Sequence, residues 1–432
     1  MLSRRTFLGA LGVTPAACAS LVPDRAARTA ARLRALQGDG RSPAEVARDE
    51  TVWRSVQEAF AVDRDLTNLN NGGVSPAPQV VHAKYKERLD ISNNAPPYHM
   101  WRVLAPGRET VRQRLGRAFG ADPEELAITR NASESLMICQ HGLDLPRGCE
   151  VLTTDQDYPR MLQAFRQRER REGIVVQKVE LPVPCVDDDD AVRRFEAAIT
   201  DRTRLILVCH VVNLTGQVLP VARIAALGRA RGIPVLVDGA HAIAQFPFRL
   251  DELGCDFYGT SLHKWLFAPI GTGLLYVRRE RIPSLWPLFA ASEELDDDIR
   301  KFEEIGTHPV ALALGIAEAL TFHEGLGAER KAARLCYLRD RWVLALRDHE
   351  RIRLLTDLAP GRAYGIATVG IDGVPTADLG AHLWQRHRIL VSPIVHPRFE
   401  GVRVSPSVYT TLEEVDRFVD AMRDVADHGL PA

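Results

Sequence analysis

The spacing of apolar and polar positions divides the chain into three regimes. Residues 25–60 are rich in Ala, Arg and Glu at helical spacing, which predicts an N-terminal arm of one or two helices. Leu69-Asn-Asn-Gly-Gly-Val-Ser-Pro76 is dense in turn formers and reads as a loop whose backbone approaches something closely. Helical spacing covers 78–91, is interrupted by Ser92-Asn-Asn-Ala-Pro-Pro97, and resumes over 107–119. After Glu125 short apolar or β-branched runs at 126–129, 151–154, 174–181, 205–211 and 234–238 alternate with helical stretches from 132 and near 160–172, 190–199 and 221–231. A further strand is expected at 271–277. This alternation predicts an α/β fold with a mostly parallel central sheet and helices on both faces. Beyond 296 two long helical stretches, 309–323 and 328–348, precede an α+β region over 352–425. The expected divisions are a leader at 1–24, a helical arm at 25–68, a large domain at 69–295 and a smaller α+β domain at 296–432.

Composition narrows the function classes. The 55 basic and 56 acidic side chains balance, so no bulk field favours nucleic acid or an anionic membrane. The seven cysteines carry neither a CxxC pair nor zinc-ligand spacing, and no metal site is expected. The acidic runs 187–190 and 296–298 read as helix starts, where carboxylates meet the positive end of the backbone dipole. At the amino terminus, Ser3-Arg4-Arg5-Thr6-Phe7-Leu8 leads into a mildly apolar stretch and the small residues Ala17-Cys18-Ala19-Ser20. This resembles a twin-arginine export signal, too short to span a bilayer. It implies an exported or periplasmic protein with no membrane anchor and the twin-arginine machinery as a partner; without that signal the protein stays cytoplasmic.

The chemistry concentrates where a short apolar run ends on a carboxylate. Val235-Leu-Val-Asp238-Gly-Ala-His241 is followed by Tyr258-Gly-Thr-Ser261-Leu-His263-Lys264. A lysine in a tight, partly buried loop holds a carbonyl cofactor as a Schiff base, and a strand-end carboxylate keeps a pyridinium nitrogen protonated. These are the two groups that pyridoxal 5'-phosphate (PLP) needs most. His241 follows Asp238 by about one helical turn, so both side chains can face one ligand. Asn131-Ala132-Ser133-Glu134 opens a helix after a strand, a place for a phosphate on the backbone of Ala132 and Ser133, with Ser261 a second phosphate contact.

Asp238-x-x-His241 and Ser261-x-His263-Lys264 resemble the class V members of the fold-type I PLP enzymes, a group that includes cysteine desulfurases, serine–pyruvate-type aminotransferases and isopenicillin N epimerase. The resemblance runs from about Leu69 to the end of the chain. It implies Lys264 as the Schiff-base lysine and PLP contacts from Ala132, Ser133, Tyr158, Asn213, Asp238, His241, Ser261 and His263. Tyr158 falls where the family stacks a ring on the pyridine, and Asn213 where it contacts the phenolic oxygen or the substrate. Glu304-Ile-Gly-Thr307 resembles the segment that reaches the phosphate of a neighbouring subunit, which implies a homodimer. Arg403 resembles the arginine that grips the substrate α-carboxylate, a role its planar fork suits, and Asn71 in the turn-rich loop is a second substrate-side candidate.

Two departures matter. The phosphate turn reads Asn-Ala-Ser-Glu where many relatives carry Gly-Thr-Thr-Glu. The stretch 391–399 lacks the nucleophilic cysteine of the desulfurases, which argues against persulfide formation. The expected activity is PLP chemistry at the α-carbon of an amino acid, epimerase or aminotransferase first, with a carbon–sulfur lyase or a catalytically silent binding protein as alternatives. No residue decides among these branches.

Overall fold

A computed structural model describes residues 31–431, apart from 32 and 37; the leader expected at 1–24, Cys18 included, lies outside them. The arm includes the short helices α1 (Pro43–Arg48) and α2 (Glu50–Gln57). Helix α1 opens on a capping box, Ser42 accepting from the Glu45 N–H while the Glu45 carboxylate takes the Ser42 N–H. The arm is pinned from the far end of the chain by Arg334, whose guanidinium donates to the Ala47 carbonyl at 2.9 Å and pairs with Glu50.

After strand β1 (Thr67–Asn68) come α3 (Gln79–Asn94) and α4 (Gly107–Phe119). Helix α3 runs through the two asparagines expected to break it and ends before Pro96. Helix α4 stops at Gly120, which takes a left-handed φ of 67°.

The large sheet has seven strands in the order β2-β8-β7-β6-β5-β3-β4. These are β2 (Leu126–Thr129), β3 (Glu150–Thr154), β4 (Val175–Val179), β5 (Thr203–Cys209), β6 (Val235–Asp238), β7 (Phe257–Ser261) and β8 (Gly273–Val277). Strands β4, β3, β5, β6 and β7 are mutually parallel, while β8 runs antiparallel to both β7 and β2. The crossovers are α5 (Ala132–Gly142), α6 (Pro159–Glu172), α7 (Asp188–Ala198) and α8 (Val221–Ala230). The acidic run at 187–190 does start a helix, with Asp187 capping α7 and accepting from the Asp189 N–H at 2.8 Å.

Strands β2, β3, β6, β7 and β8 are buried along their whole length. Each large apolar side chain shielded this way contributes about 1.5–3 kcal/mol. That demand explains the uninterrupted apolar runs read from the sequence. Strand β7 was hidden from that reading, because Gly259-Thr-Ser261 looks like a turn. Gly259 sits inside the strand because a Cβ there would come within 2.8 Å of Leu136 on α5.

Helices α9 (Val310–Leu326) and α10 (Ala328–Leu346) lead to a four-stranded antiparallel sheet, β12-β13-β10-β9. Its strands are β9 (Ile352–Leu354), β10 (Ala367–Ile371), β12 (Ser392–His396) and β13 (Phe399–Val404), covered by α11 (Thr376–His387) and α12 (Leu412–His428). Strand β11 (Ile389–Leu390) pairs instead with β1. A boundary at 296 falls before α9, yet Val310, Leu314, Ile316 and Leu320 of α9 join the large core. The second core takes Leu338, Trp342, Val369, Val402 and Phe418, and recruits Leu69 from the start of the chain. No single helix among the described residues is long and apolar enough to cross a membrane.

Candidate active site

At the carboxyl ends of β5, β6 and β7 lies a cavity of about 690 Å³, lined from both cores. Lys264 follows β7, Asp238 ends β6, Cys209 ends β5, and Tyr158 stands beyond β3 at the start of α6. From the small sheet come Arg403 on β13 and Ser392 and Ile394 on β12. The cavity thus brings together Lys264, Asp238, His241, Ser261, His263, Asn213, Tyr158, Ala132, Ser133 and Arg403.

Each member is held by the fold. The Asp238 Oδ1 accepts from the Ala240 N–H at 3.0 Å, and burial pushes its carboxyl up to about 6. Lys264 lies half-buried with Nζ 3.3 Å from His241 Nε2. Burial brings its amine down to about 8, with Asp238 opposing the shift and Arg403 adding to it. The same burial, with Lys264 and Arg403 near, holds His241 well below the usual imidazole range, so the ring is neutral. His263 faces the backbone, Nδ1 lying 3.0 Å from the Thr272 carbonyl.

The phosphate turn differs in one detail from expectation. Asn131 caps α5, accepting from the Glu134 N–H at 2.9 Å, while the Ala132 N–H donates to Ser261 Oγ at 2.9 Å. Ala132 and Ser261 are therefore joined to each other, locking the helix start onto the end of β7. Gly273 on β8 permits this closeness, since a Cβ there would stand 2.6 Å from the Asn131 backbone.

Arg403 is 6 % exposed and has no carboxylate partner among the described residues. Its Nη1 donates to the Asn213 carbonyl and its Nη2 to Asn70 Oδ1, both at 2.9 Å, while Nε has no partner. Burial lowers it to about 10. A desolvated cation at a cavity wall without a counter-charge is a site for an anion.

Two expected site residues stand elsewhere. Asn71 is fully buried and spent within the fold: its Nδ2 donates to the Asn68 and Ser405 carbonyls, and its Oδ1 accepts from Tyr409 at 2.6 Å. The neighbouring Asn70 takes the cavity-facing place, a one-residue shift that the turn-rich loop signalled without resolving. Thr307 is exposed and does not line this cavity; its expected role concerned a second copy of the chain. Residues that sequence reasoning passed over are Cys209, Arg160, Met161 and Ile270. Of these, Arg160 directly follows Tyr158-Pro159 and carried a positional signal.

The donor set suits a phosphorylated pyridine aldehyde. A helix N-terminus, a lysine, a strand-end carboxylate and two buried, unpartnered polar atoms, Asn213 Oδ1 and His241 Nδ1, gather around one cavity. No cluster of three or more His, Cys, Asp or Glu suited to a metal ion occurs among the described residues.

Comparison with known proteins agrees with this donor set. The family model described as aminotransferase class-V matches residues 67–418. An isopenicillin N epimerase of Amycolatopsis lactamdurans is 32% identical over 395 residues, spanning 87% of this chain and 99% of its own. A cysteine desulfurase of Haloferax volcanii is 26% identical over 83% of this chain and 88% of its own. Among solved structures, a C-DES mutant with glycine covalently linked to its PLP cofactor has the same fold, with a TM-score of 0.73 and 23% identity over 84% of this chain and 97% of that one.

Proposed function

The chain belongs to the class V aminotransferase family, whose cofactor is PLP, and on that premise we propose that it acts at the α-carbon of an amino acid or peptide-like amine bearing an α-carboxylate, with epimerisation as its reaction. The observation that carries the substrate class is Arg403, a buried guanidinium on the cavity wall without a carboxylate of its own.

Bound here, PLP supplies an electron sink for the pair left behind when the Cα–H bond breaks. Lys264 and Asp238 are the residues that would hold its aldehyde and ring nitrogen, and the start of α5 with Ser261 its phosphate. The protein's own work is then positional. Arg403 binds the substrate carboxylate and so orients the α-carbon. Lys264, with its amine near 8, has a far larger neutral fraction at physiological pH than an exposed lysine, and it takes the α-proton. His241, neutral, accepts a hydrogen bond from that amine and keeps it in place.

Epimerisation needs a proton returned on the other face. In the sheet order, Lys264 (after β7) and Tyr158 (after β3) flank Asp238 from opposite sides. Tyr158 lines the same cavity and carries a hydroxyl, so it is the donor this reading assigns to the second face. The sequence similarity to isopenicillin N epimerases points the same way.

Persulfide chemistry has less support here, although desulfurases are among the relatives. The one cysteine lining the cavity, Cys209, donates to Asp157 Oδ1 at 3.0 Å, and burial holds its thiol well above the usual range. Such a thiol is a poor nucleophile.

Incubation with L- and D-amino acids in deuterated water, with and without pyruvate, tests the reading. Cα exchange with inversion, lost in Lys264→Ala, supports it. Keto-acid formation selects an aminotransferase, released thiol a lyase, and protein that takes up no PLP a silent binding module.

Two further proposals rest on sequence motifs. The Glu304-Ile-Gly-Thr307 segment supports a homodimer, checked by sedimentation. The Arg4-Arg5 pair supports twin-arginine export, and Arg4-Arg5→Lys-Lys should then retain the protein in the cytoplasm.

A further inference from the structure

Lys331 on α10 is fully buried, 0 % exposed, and forms no ion pair among the described residues. Burying an amine costs several kcal/mol unless its hydrogens are used, and a methionine would fill the same space without that cost. Its hydrogens are used in one place. Nζ donates to the carbonyl of Trp265, the residue joined directly to Lys264, and sits 3.9 Å from the centre of the Phe267 ring.

The segment around Lys264 is otherwise stitched by its own backbone. The Leu262 carbonyl accepts from Ala268 and the His263 carbonyl from Ser75, each at 3.1 Å, while the Leu262 N–H reaches the Thr272 carbonyl at 3.0 Å. The Trp265 carbonyl depends on Lys331. Two residues on, Phe267 adopts a φ of 63°, a left-handed conformation that an ordinary residue holds only where its surroundings enforce it. The Lys331 amine on one side and the Phe60 and Phe322 rings on the others enclose the Phe267 ring and supply that enforcement.

We propose that Lys331 is a positioning residue for Lys264: by holding the Trp265 carbonyl and seating the Phe267 ring, it determines where the Lys264 amine stands in the cavity. The proposal rests on the reading of Lys264 as the reacting amine, but its test needs neither cofactor nor substrate, so the two fail separately.

The test uses the cofactor-free protein. Acylation of Lys264 by a small amine-reactive ester is followed against pH by peptide mass spectrometry, alongside thermal unfolding. The groups that face this amine are Asp238, Arg403, His241 and Cys209. In wild type the labelling midpoint is expected near 8. In Lys331→Met the loop loosens, the amine leaves that environment, and the midpoint moves up toward the ordinary lysine value, so labelling at pH 8 falls severalfold. Lys331→Gln keeps a donor for the Trp265 carbonyl and restores most of the wild-type midpoint. If Lys331→Met does not fold, Phe267→Leu removes the aromatic seat while leaving the Trp265 hydrogen bond, and is expected to move the midpoint partway. An unmoved midpoint in the folded variants, with only the unfolding temperature lowered, overturns the proposal.

Discussion

The Lys264 amine lies 3.3 Å from Nε2 of His241, an imidazole that burial keeps neutral. A neutral ring accepting at Nε2 carries its proton at Nδ1, the atom that has no partner in the fold. The lysine is thereby steered by a neighbour that does not compete for charge. Removing that acceptor in His241→Phe leaves the ammonium form of Lys264 less stabilised, so its labelling midpoint in the cofactor-free protein should fall below about 8. A rise would contradict the hydrogen-bond direction.

Arg403, proposed to hold the substrate carboxylate, also bears on the lysine. Arg403→Met should raise KM for an amino acid about 10–100-fold, the loss expected for a charged hydrogen-bonded pair worth ~1.5–3 kcal/mol. Because its positive charge also lowers the Lys264 amine, the labelling midpoint should move upward in the same variant. Steady-state kinetics and labelling read the two effects independently.

Asp238 ties function to stability. Its carboxyl is raised from 3.8 to about 6 in the fold, so the folded state holds the proton more tightly than the unfolded chain. The stability this gives is present below 3.8 and is lost as pH rises through 6. At pH 8 the ionised, buried carboxylate is a net cost, so cofactor-free Asp238→Asn should be more stable than wild type by on the order of 2–3 kcal/mol. The same change should slow Cα exchange by about 10²–10³-fold, since the carboxylate that would hold the ring nitrogen is gone. Denaturant melts at pH 4 and 8 check the sign: the advantage should vanish at the lower pH.

Gly273→Ala places a methyl against the Asn131 backbone. A displaced α5 start should cost about 1–3 kcal/mol of stability, typical of overpacking. It should also weaken PLP binding, measured by equilibrium dialysis, because the phosphate turn and Ser261 move apart. Normal PLP affinity with reduced stability would separate that turn from the phosphate.

How much of this was legible beforehand follows from which signals are local. Strand β6 ending on Asp238 and the cap at Asn131 are short-range patterns of apolar runs and turn chemistry, and they could be read directly. Strand β7 could not, because Gly259 is there for Leu136, more than a hundred residues away. Asn70 and Asn71 are indistinguishable by type, and only the pairing of the loop with Ser405 on the far side of β13 turns one toward Arg403 and the other inward. Lys331 gave no sign at all, since a lysine in an amphipathic helix is ordinarily a surface residue and its partner lies on the Lys264 loop. The division at 296 raises a related point: α9 is mostly apolar, and only its neighbours reveal that it joins the large core.

The site draws on distant stretches of one chain, with Asn70 entering from the turn-rich loop near its start. Residues 131–264 provide Asn131, Ser133, Asp238, His241, Ser261 and Lys264, and Arg403 arrives only with β13, the last strand of the described residues. During synthesis a growing chain therefore completes its cofactor half well before its substrate half. A polypeptide that ends after α10 would carry Lys264 and Asp238 but not Arg403, the residue proposed to hold the amino-acid carboxylate.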